Sequence, residues 1–399
     1  MIKIHNLGEA AEAITAALAA KQRLSTIGTG SKAALGRHVD YDGVLDLSAM
    51  CGVVDYQPEE LILTVRAGTS MSALEAVLAE AGQMLPFDPP DFSRLLASGA
   101  AGSIGGVLAA NLSGPRRLTA GAARDYLLGF EAVSGRGEFF KSGGKVVKNV
   151  TGYDLSKLMC GSFGTLAVMD EITLKTLPRP ETAVSLLFGY ADMAAATAAI
   201  AAIFASPHEP HAAAILPAVL ARQAEIDLGT SYVVIIRLEG IAVSVDDRAS
   251  NLLASGFNAA ACARLEADRS ADLWQSIRDV DWFTSHQGAI WKLSVAPAAA
   301  APLLADIGAR FDVTAYADWA GGLIWLAGPS GPELATALRA AVDAAGGGYA
   351  QLIIDKNGGA DQVPPFQPLP AAHFALHQRV KAAFDPCGVL NFGRMHDGI

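Results

Sequence analysis

The chain has 399 residues, of which 51% are hydrophobic and 18% are charged, and its formal net charge is −10. This composition excludes a disordered chain and predicts a compact protein of about two domains, because single cores rarely exceed about 250 to 300 residues. The acidic balance argues against nucleic-acid binding, which requires a clustered basic surface.

The cysteines are dispersed at Cys51, Cys160, Cys262 and Cys387, with no CxxC spacing. This dispersed spacing predicts reduced thiols in the protein core. It argues against a zinc site or an iron–sulfur cluster built from the cysteines of this chain alone. The N-terminal stretch lacks the features of a signal peptide, and no uninterrupted apolar run reaches about 18 residues. We therefore expect a cytoplasmic protein without a metal site.

The first 90 residues predict short elements around a first glycine-containing loop, IGTGSKAALG at 27–36. Helices are predicted at 7–20 and 71–81, and strands at 23–27, 44–48, 52–56 and 61–66. Ser70 is expected to cap the second helix, and the prolines of LPFDPPDF exclude a helix after it.

The stretch 98–114, SGAAGSIGGVLAANLSG, contains five glycines. Without Cβ atoms, backbone N–H groups can approach a diphosphate closely, and positive φ angles are accessible where required. A short helix at 103–111 would direct its N-terminal end toward the same anion. The alternative is a tight helix-packing turn in an alanine- and glycine-rich protein. Neither GxGxxG nor GxxxxGK[ST] occurs at Gly28, so the two commonest nucleotide motifs lack support.

The chain from 126 to 180 predicts further strands and a third glycine-containing loop, CGSFGTLAV at 160–168. The predicted elements are strands at 126–134, 138–141, 145–148 and 165–177, and one or two helical turns at 154–160. Three such loops imply a long ligand. The prolines at 178 and 180 mark a domain boundary.

From residue 182 onward, strands alternate with alanine-rich helices. Strands are predicted at 184–190, 212–216, 232–238, 289–295, 322–327 and 349–354, and helices at 191–205, 244–254 and 373–384. This alternation predicts an α+β layer of antiparallel strands with helices on one face. No fixed-period sequence repeat is visible.

The order of the motifs resembles a known family. The motifs are GTGS, DLSAMCGVVDYQPEELILTVRAG, LPFDPP, SIGGVLAANLSGPRRLTAGAARDYLLG, KVVKNVTGYDLSKLMCGSFGTLAV and AAFDPCGVLNFGRM. In these motifs the chain resembles the vanillyl-alcohol-oxidase type of FAD enzyme, and within it the FAD-binding subunits of bacterial glycolate oxidases. The resemblance covers residues 1–180 and roughly the last 25, and the middle matches only loosely.

The resemblance implies an α+β fold with a PCMH-type FAD-binding domain at 1–180 and a ferredoxin-like cap domain at 181–368. The tail at 369–399 would return to the FAD-binding domain. Two departures from the family pattern are Ala167, where glycine is common, and Phe392, where proline is common. The first two loops lack the histidine or cysteine that attaches flavin covalently in this fold, so we expect non-covalent FAD.

The resemblance also implies which residues contact FAD. Those of the first two loops are expected near the pyrophosphate, those at 111–114 near the flavin, and those of the third loop are expected to contribute backbone contacts. The implied residues are Gly28, Thr29, Gly30, Ser31, Lys32, Ser103, Ile104, Gly105, Gly106, Asn111, Gly114, Gly164, Thr165 and Val168.

Oxidation of an α-hydroxy acid by a flavin requires a base, a cation for the carboxylate and a positioned Cα–H. The candidate base is His286, in WFTSHQGAIWK, where Lys292 and two tryptophans are close in sequence. The alternative is an exposed or internally bonded histidine.

Other polar residues are weaker candidates. Lys148 and Asn149 would either approach the flavin ring or face solvent at the end of a strand. Arg116 and Arg117 would pair with phosphate or with a partner's carboxylates, and adjacent arginines rarely point the same way.

Catalytic members of the wider family have a histidine-rich GEHGIG segment, and this chain has AAGGGYAQLIIDKNGG at the corresponding place. The resemblance therefore implies an auxiliary FAD-binding subunit that works with a catalytic FAD subunit and an iron–sulfur subunit of a glycolate oxidase complex. Such a complex would be cytoplasmic, or peripheral at the inner membrane through its partners. The alternatives are a stand-alone FAD-dependent 2-hydroxy-acid dehydrogenase and a structural subunit without flavin.

Overall fold

The computed structural model describes residues 1–144, 152–358 and 363–399. Two compact units make up the chain: the first unit comprises Met1–Ser113, Gly121–Arg179 and Pro368–Ile399, and the second unit comprises Gly114–Ala120 and Pro180–Gln367. The predicted strand at 145–148, with Lys148 and Asn149, lies outside the described residues.

The first unit contains a parallel and an antiparallel sheet. The parallel sheet has the strand order Ile2–Lys3, Gly43–Asp46 and Leu24–Ile27. The antiparallel sheet has the order Val53–Gln57, Ile62–Val65, Ala167–Lys175, Leu127–Ser134 and Phe139–Gly143, and Gln83–Met84 pairs with Leu177–Pro178. The first glycine-containing loop follows Leu24–Ile27, and the third precedes Ala167–Lys175. Both loops therefore start or end on a hydrogen-bonded strand.

Several helices of the first unit begin at a residue whose side chain caps them. Their bounds are Leu7–Ala20, Pro58–Glu60, Met71–Glu80, Ile104–Ala109, Ala123–Tyr126, Leu155–Met159 and Ala371–Phe384. Ser70 accepts a hydrogen bond from the backbone N–H of Ala73, as predicted, and Asn6 accepts one from Glu9. Leu7–Ala20 buries Ile14 in a core that it shares with Leu390 of the C-terminal tail.

The second unit contains an antiparallel sheet that repeats one motif. Among the described residues its strand order is Ala261–Leu265, Thr182–Tyr190, Tyr232–Gly240, Ala212–Pro217, Thr314–Asp318, Leu323–Gly328, Ala289–Ser294 and Tyr349–Asp355. Each half has the chain order strand, helix, strand, strand, helix, strand of a ferredoxin-like motif, with the additional short helix Ala218–Gln223 between the second and third strands of the first half. The halves meet where Ile215 pairs with Ala317. The structure therefore contains a repeat that the sequence does not show.

The helices of the second unit cover both faces of its sheet. Their bounds are Arg117–Ala120, Met193–Phe204, Ala218–Gln223, Ala242–Ser255, Gly256–Asn258, Ala267–Asp279, Asp281–Phe283, Pro297–Ala299, Ala300–Arg310, Trp319–Gly321 and Pro332–Ala344. Val184 and Leu186 face the hydrophobic core of the second unit, which we call the main core. Ser185, which lies between them in sequence, accepts a hydrogen bond from Trp274 Nε1 at 2.8 Å. The helix Ala267–Asp279 thus packs on the opposite face, so the expectation of helices on one face only was wrong.

Within the described ranges of both units, no helix is both long and apolar enough to cross a bilayer.

Candidate functional site

A groove in the first unit brings the three glycine-containing loops together. It is lined by residues of the first loop, of the 98–114 stretch and of the third loop, and an adjoining cleft continues it past Gly105 and Val168. The predicted residues that line the groove are Gly28, Thr29, Gly30, Ser31, Lys32, Ser103, Gly106 and Gly164. Most of the predicted contact residues therefore share one surface.

Glycines lie where the first two loops touch. A Cβ atom on Gly28 would lie 2.5 Å from Ser103 Oγ, and one on Gly102 would lie 2.6 Å from Lys32 Nζ. Both of these atoms end a side chain, so a larger residue would require Ser103 or Lys32 to change its position at the groove.

Gly105 and Gly106 have different roles. The N–H of Gly105 donates to Ala67 O at 2.8 Å, and a Cβ there would lie 2.7 Å from the same oxygen. A Cβ on Gly106 would meet Ser103 Oγ and Lys32 Nζ at 3.4 and 3.6 Å, which are ordinary contacts. Neither glycine has a positive φ, in contrast to Gly30 with φ +76°. Gly105 is therefore required by its close approach to Ala67, whereas the surrounding protein leaves room for a side chain at Gly106.

Two buried polar atoms at the groove have no protein partner. Thr29 Oγ1 and Arg394 Nε are both buried, and neither has a hydrogen-bond partner within the part of the chain that the structure describes. A buried polar group without a partner is costly, so such atoms mark places where a polar ligand is expected. A ligand with several oxygen acceptors fits these donors.

Lys32 provides a cation at the groove. Its Nζ lies 3.1 Å from Ser31 Oγ, and burial lowers its pKa to about 8, although the charge of Asp91 acts in the opposite direction. A desolvated ammonium gains most from a bound anion, because the anion restores the favourable interactions that burial removed. The groove therefore combines a hydroxyl, a guanidinium N–H and an ammonium group, which suits a diphosphate.

The C-terminal tail contributes Arg394 to the groove lining and supports the loops through Asn391, whose importance the sequence did not indicate. Its side-chain oxygen accepts from Thr26 N at 3.0 Å, and its Nδ2 donates to Thr26 Oγ1 at 2.9 Å and to Phe163 O at 2.8 Å. Arg394 Nη2 donates to Lys32 O at 2.8 Å. The motif NFGRM thus joins the first loop to the third.

A buried ion pair holds the tail in place. Lys381 Nζ lies 2.7 Å from Asp385 Oδ2, and the side chains are 5% and 0% exposed. Lys381 also donates to Thr165 O and Leu390 O at 2.6 and 2.8 Å. The carboxylate of Asp385 accepts two backbone N–H groups, from Val389 and Leu390. Both charges are therefore compensated, and the network ties the third loop to the tail.

Some predicted contact residues lie away from the groove. Ile104 is fully buried in the core, and Thr165 donates its hydroxyl to Ser162 O. Asn111 has φ +48°, and its side-chain oxygen accepts from Arg124 N at 3.3 Å. These residues therefore support the conformation of the loops and are not among the groove-lining residues.

Gly114 belongs to the second unit, where its carbonyl accepts from Trp319 Nε1 at 3.0 Å. The neighbouring Arg116 pairs with the buried Glu239 at 2.9 Å. Its expected pairing with phosphate or with a partner's carboxylate is replaced by an internal ion pair.

The proposed base His286 is bound to the backbone of its own unit. Its Nε2 lies 2.8 Å from Gly328 O, and Trp291 is buried in the main core. Within the described residues, Trp291 therefore faces the core of the second unit and does not form a pocket wall with His286. Among the described residues, moreover, no cluster of three or more His, Cys, Asp or Glu side chains is placed to hold a metal.

Comparison with known proteins gives the following similarities. Residues 1–143 match a family model described as FAD binding domain. Glycolate oxidase subunit GlcE of Escherichia coli (strain K12) is 36% identical over 389 residues, which cover 96% of this chain and 96% of that protein. Glycolate oxidase subunit GlcD of Bacillus subtilis (strain 168) is 37% identical over 177 residues, which cover 44% of this chain and 35% of that protein. The crystal structure of p-cresol methylhydroxylase with substrate bound aligns with a TM-score of 0.71 at 15% identity, covering 99% of this chain and 88% of that one.

Proposed function

From the premise that this chain belongs to the family of glycolate oxidase subunit GlcE, we propose that it is the FAD-binding component of a complex that oxidises glycolate to glyoxylate. The α+β fold of PCMH type and the cofactor FAD, both implied by the resemblance to the family, are confirmed. The chain is thus a component of an FAD-dependent 2-hydroxy-acid oxidoreductase.

The groove with its two unpartnered polar atoms carries the proposal. The first loop and the Ser103–Gly106 turn would hold the diphosphate of FAD, with Lys32 supplying the positive charge and Thr29 a hydroxyl donor. Gly164 and Val168 would line the continuation toward the rest of the cofactor. FAD, when bound, accepts the two electrons that leave the hydroxy acid.

We propose that catalysis depends on partner subunits, namely a catalytic FAD subunit and an iron–sulfur subunit that passes electrons to an acceptor other than oxygen. The relatives named GlcE and GlcD are separate subunits of glycolate oxidase, which supports a multi-subunit complex. His286 is engaged with Gly328, and within the described residues no histidine lines the groove. These observations favour an auxiliary subunit over a stand-alone dehydrogenase.

We expect the FAD to be non-covalent, because the groove-lining residues that the structure describes include no histidine or cysteine. The purified chain should show the oxidised-flavin spectrum, and acid precipitation should release the colour into the supernatant. Flavin that remains in the washed precipitate would contradict this expectation.

We expect the isolated, FAD-loaded chain to be reduced slowly by excess glycolate under anaerobic conditions, and rapidly once its partner subunits are co-expressed. A positioned general base contributes about 10² to 10⁴ in rate, and the groove-lining residues that the structure describes include no histidine or carboxylate. The variant His286→Ala should behave like the wild type. Rapid reduction of the isolated chain that His286→Ala abolishes would instead make it a self-sufficient dehydrogenase.

The affinity for FAD should fall as the pH rises above 8. Lys32, whose pKa is lowered to about 8 in the free protein, is protonated and attracts the diphosphate below this pH, and it loses its charge above it. Measured dissociation constants should therefore increase above pH 8 in the wild type, by at most about tenfold per pH unit for one proton. Lys32→Met should bind FAD weakly with a flat profile, and Lys32→Arg should retain affinity at high pH. A pH profile in Lys32→Met like that of the wild type would exclude this role.

A further inference from the structure

Residues 392–399, which we call the distal tail, contribute one side chain to the groove. Arg394 lines the groove, and its Nη2 donates to Lys32 O at 2.8 Å. The backbone oxygen of Arg394 accepts from Arg37 N at 2.8 Å. Arg394 therefore connects the distal tail to the first glycine-containing loop and to the residue that follows this loop.

Residues 385–391, which we call the proximal tail, are held in a different way. Leu24 N donates to Val389 O at 2.7 Å, and Asn391 N donates to Leu24 O at 2.9 Å. Val389 N also donates to the carboxylate of Asp385 at 2.9 Å. Among the described residues, neither Leu24 nor Asp385 lines the groove. The backbone of the proximal tail is thus fixed by residues outside the groove, whereas the distal tail is attached at its edge.

The guanidinium of Arg394 has hydrogen-bonding capacity that the protein does not use. Its Nε is buried and has no partner across residues 1–144, 152–358 and 363–399. Burial lowers the pKa of Arg394, and Tyr41 acts in the opposite direction. An arginine nevertheless keeps its proton, so the group stays charged where water solvates it poorly. A buried donor without a partner is costly, and an acceptor at Nε would remove this cost.

The groove contains a second cation. Lys32 and Arg394 both line it, and the groove-lining residues that the structure describes include no carboxylate. Burial lowers the pKa of Lys32, and Asp91, whose charge acts in the opposite direction, is not a lining residue. Docking of the distal tail therefore adds a positive charge to a surface that already has one. Such docking is unfavourable until an anion compensates the two charges.

We propose that Arg394 donates to a phosphate oxygen of FAD, so that FAD binding and docking of the distal tail stabilise each other. The inference rests on the proposed function for the presence of FAD in this groove. Hydrogen bonds between a guanidinium and a phosphate are short and strong. The coupling is reciprocal: the factor by which the docked tail raises the affinity for FAD equals the factor by which FAD raises the docking equilibrium.

The test compares hydrogen exchange of the full chain with and without FAD. FAD should slow exchange of the distal tail by about 10- to 100-fold, as expected for one hydrogen bond to a charged group, and should change that of the proximal tail little. Arg394→Met should bind FAD more weakly by the same factor, and saturating FAD should no longer slow exchange of its distal tail.

The matched control is Arg136→Met. The Arg136 side chain donates to Ala382 O at 3.3 Å, in the helix before the proximal tail, and it does not line the groove in the described part of the chain. This variant also exchanges an arginine that contacts the C-terminal region for methionine. It should therefore bind FAD like the wild type, and FAD should slow exchange of its distal tail to the same extent.

ADP gives a readout that does not depend on the folding of Arg394→Met. In the wild type, ADP at concentrations that displace FAD should slow exchange of the distal tail, because it carries the diphosphate, whereas riboflavin should not. The coupling would be overturned if FAD did not slow this exchange in the wild type, if FAD slowed it equally in Arg394→Met, or if riboflavin slowed it and ADP did not. Protection by FAD that Arg394→Met abolishes, in a chain that never oxidises glycolate even with its partners, would uphold the coupling and overturn the proposed function.

Discussion

Gly106→Val should lose FAD while the chain remains folded. Gly106 lies in a short helix with an ordinary helical backbone, and its Cβ would make only normal contacts with Ser103 and Lys32. The methyl groups of valine, however, would extend into the groove at the position proposed for the diphosphate. We expect an affinity for FAD weaker by about 100-fold, or about 2.8 kcal/mol, with little change in the thermal unfolding of the FAD-free protein.

Two further variants separate groove occupancy from packing. Gly105→Val would push against Ala67 O, so it should lower the unfolding temperature of the FAD-free protein as well as its FAD content. Gly308→Val places the same side chain at an exposed position of the second unit, with nothing within 4 Å, and should leave FAD binding unchanged. Stoichiometric FAD in purified Gly106→Val would show that the turn does not contact the cofactor.

The sequence allowed the loops of the candidate site to be proposed because glycine spacing is a local property. Gly28, Gly106 and Gly164, which belong to three separate motifs, line one groove. The two adjacent glycines of SIGG could not be distinguished, because only the position of Ala67 shows that Gly105 packs against a neighbouring loop. The glycine spacing thus identified the SIGG segment, whereas contacts with residues distant in sequence distinguish the roles of its two glycines.

The second unit was harder to predict for a related reason. The amphipathic helix Ala267–Asp279 and the strand Thr314–Asp318 were not predicted, and the duplication of the ferredoxin-like motif is visible only in the strand order. The two halves share the order of their strands and helices, without a visible repeat in the amino-acid sequence. Likewise, His286 and Lys292 are six residues apart in sequence, but one is bound to a backbone carbonyl and the other lies between tryptophans.

The C-terminal tail shows how a distant segment can determine a site. Asn391 contacts Thr26, which is 365 residues away, and adopts a φ of +43°, a conformation that asparagine tolerates better than most residues. Nothing in the local pattern of NFGRM indicates which loop it joins. The groove therefore depends on the fixation of the tail, and this fixation depends on Lys381 and Asp385.

Lys381→Met should be the most destabilising single change in this network. It leaves the Asp385 carboxylate buried without its cation and leaves Thr165 O and Leu390 O without their donor. Removing one partner of a buried pair typically costs about 3 to 5 kcal/mol, because the remaining charge is uncompensated. We expect a loss of that order in denaturant unfolding of the first unit, together with weaker FAD binding through the displaced third loop.

The matched control is Lys157→Met. Lys157 pairs with Asp154 at 3.1 Å three residues away in the same unit, but both side chains are 55% exposed. Exposed pairs contribute less than about 1 kcal/mol, so this variant should unfold nearly like the wild type and keep its FAD. If Lys381→Met were no less stable than Lys157→Met, the pair would not hold the tail. If it were less stable but bound FAD normally at temperatures where it stays folded, the tail would support the fold without shaping the groove.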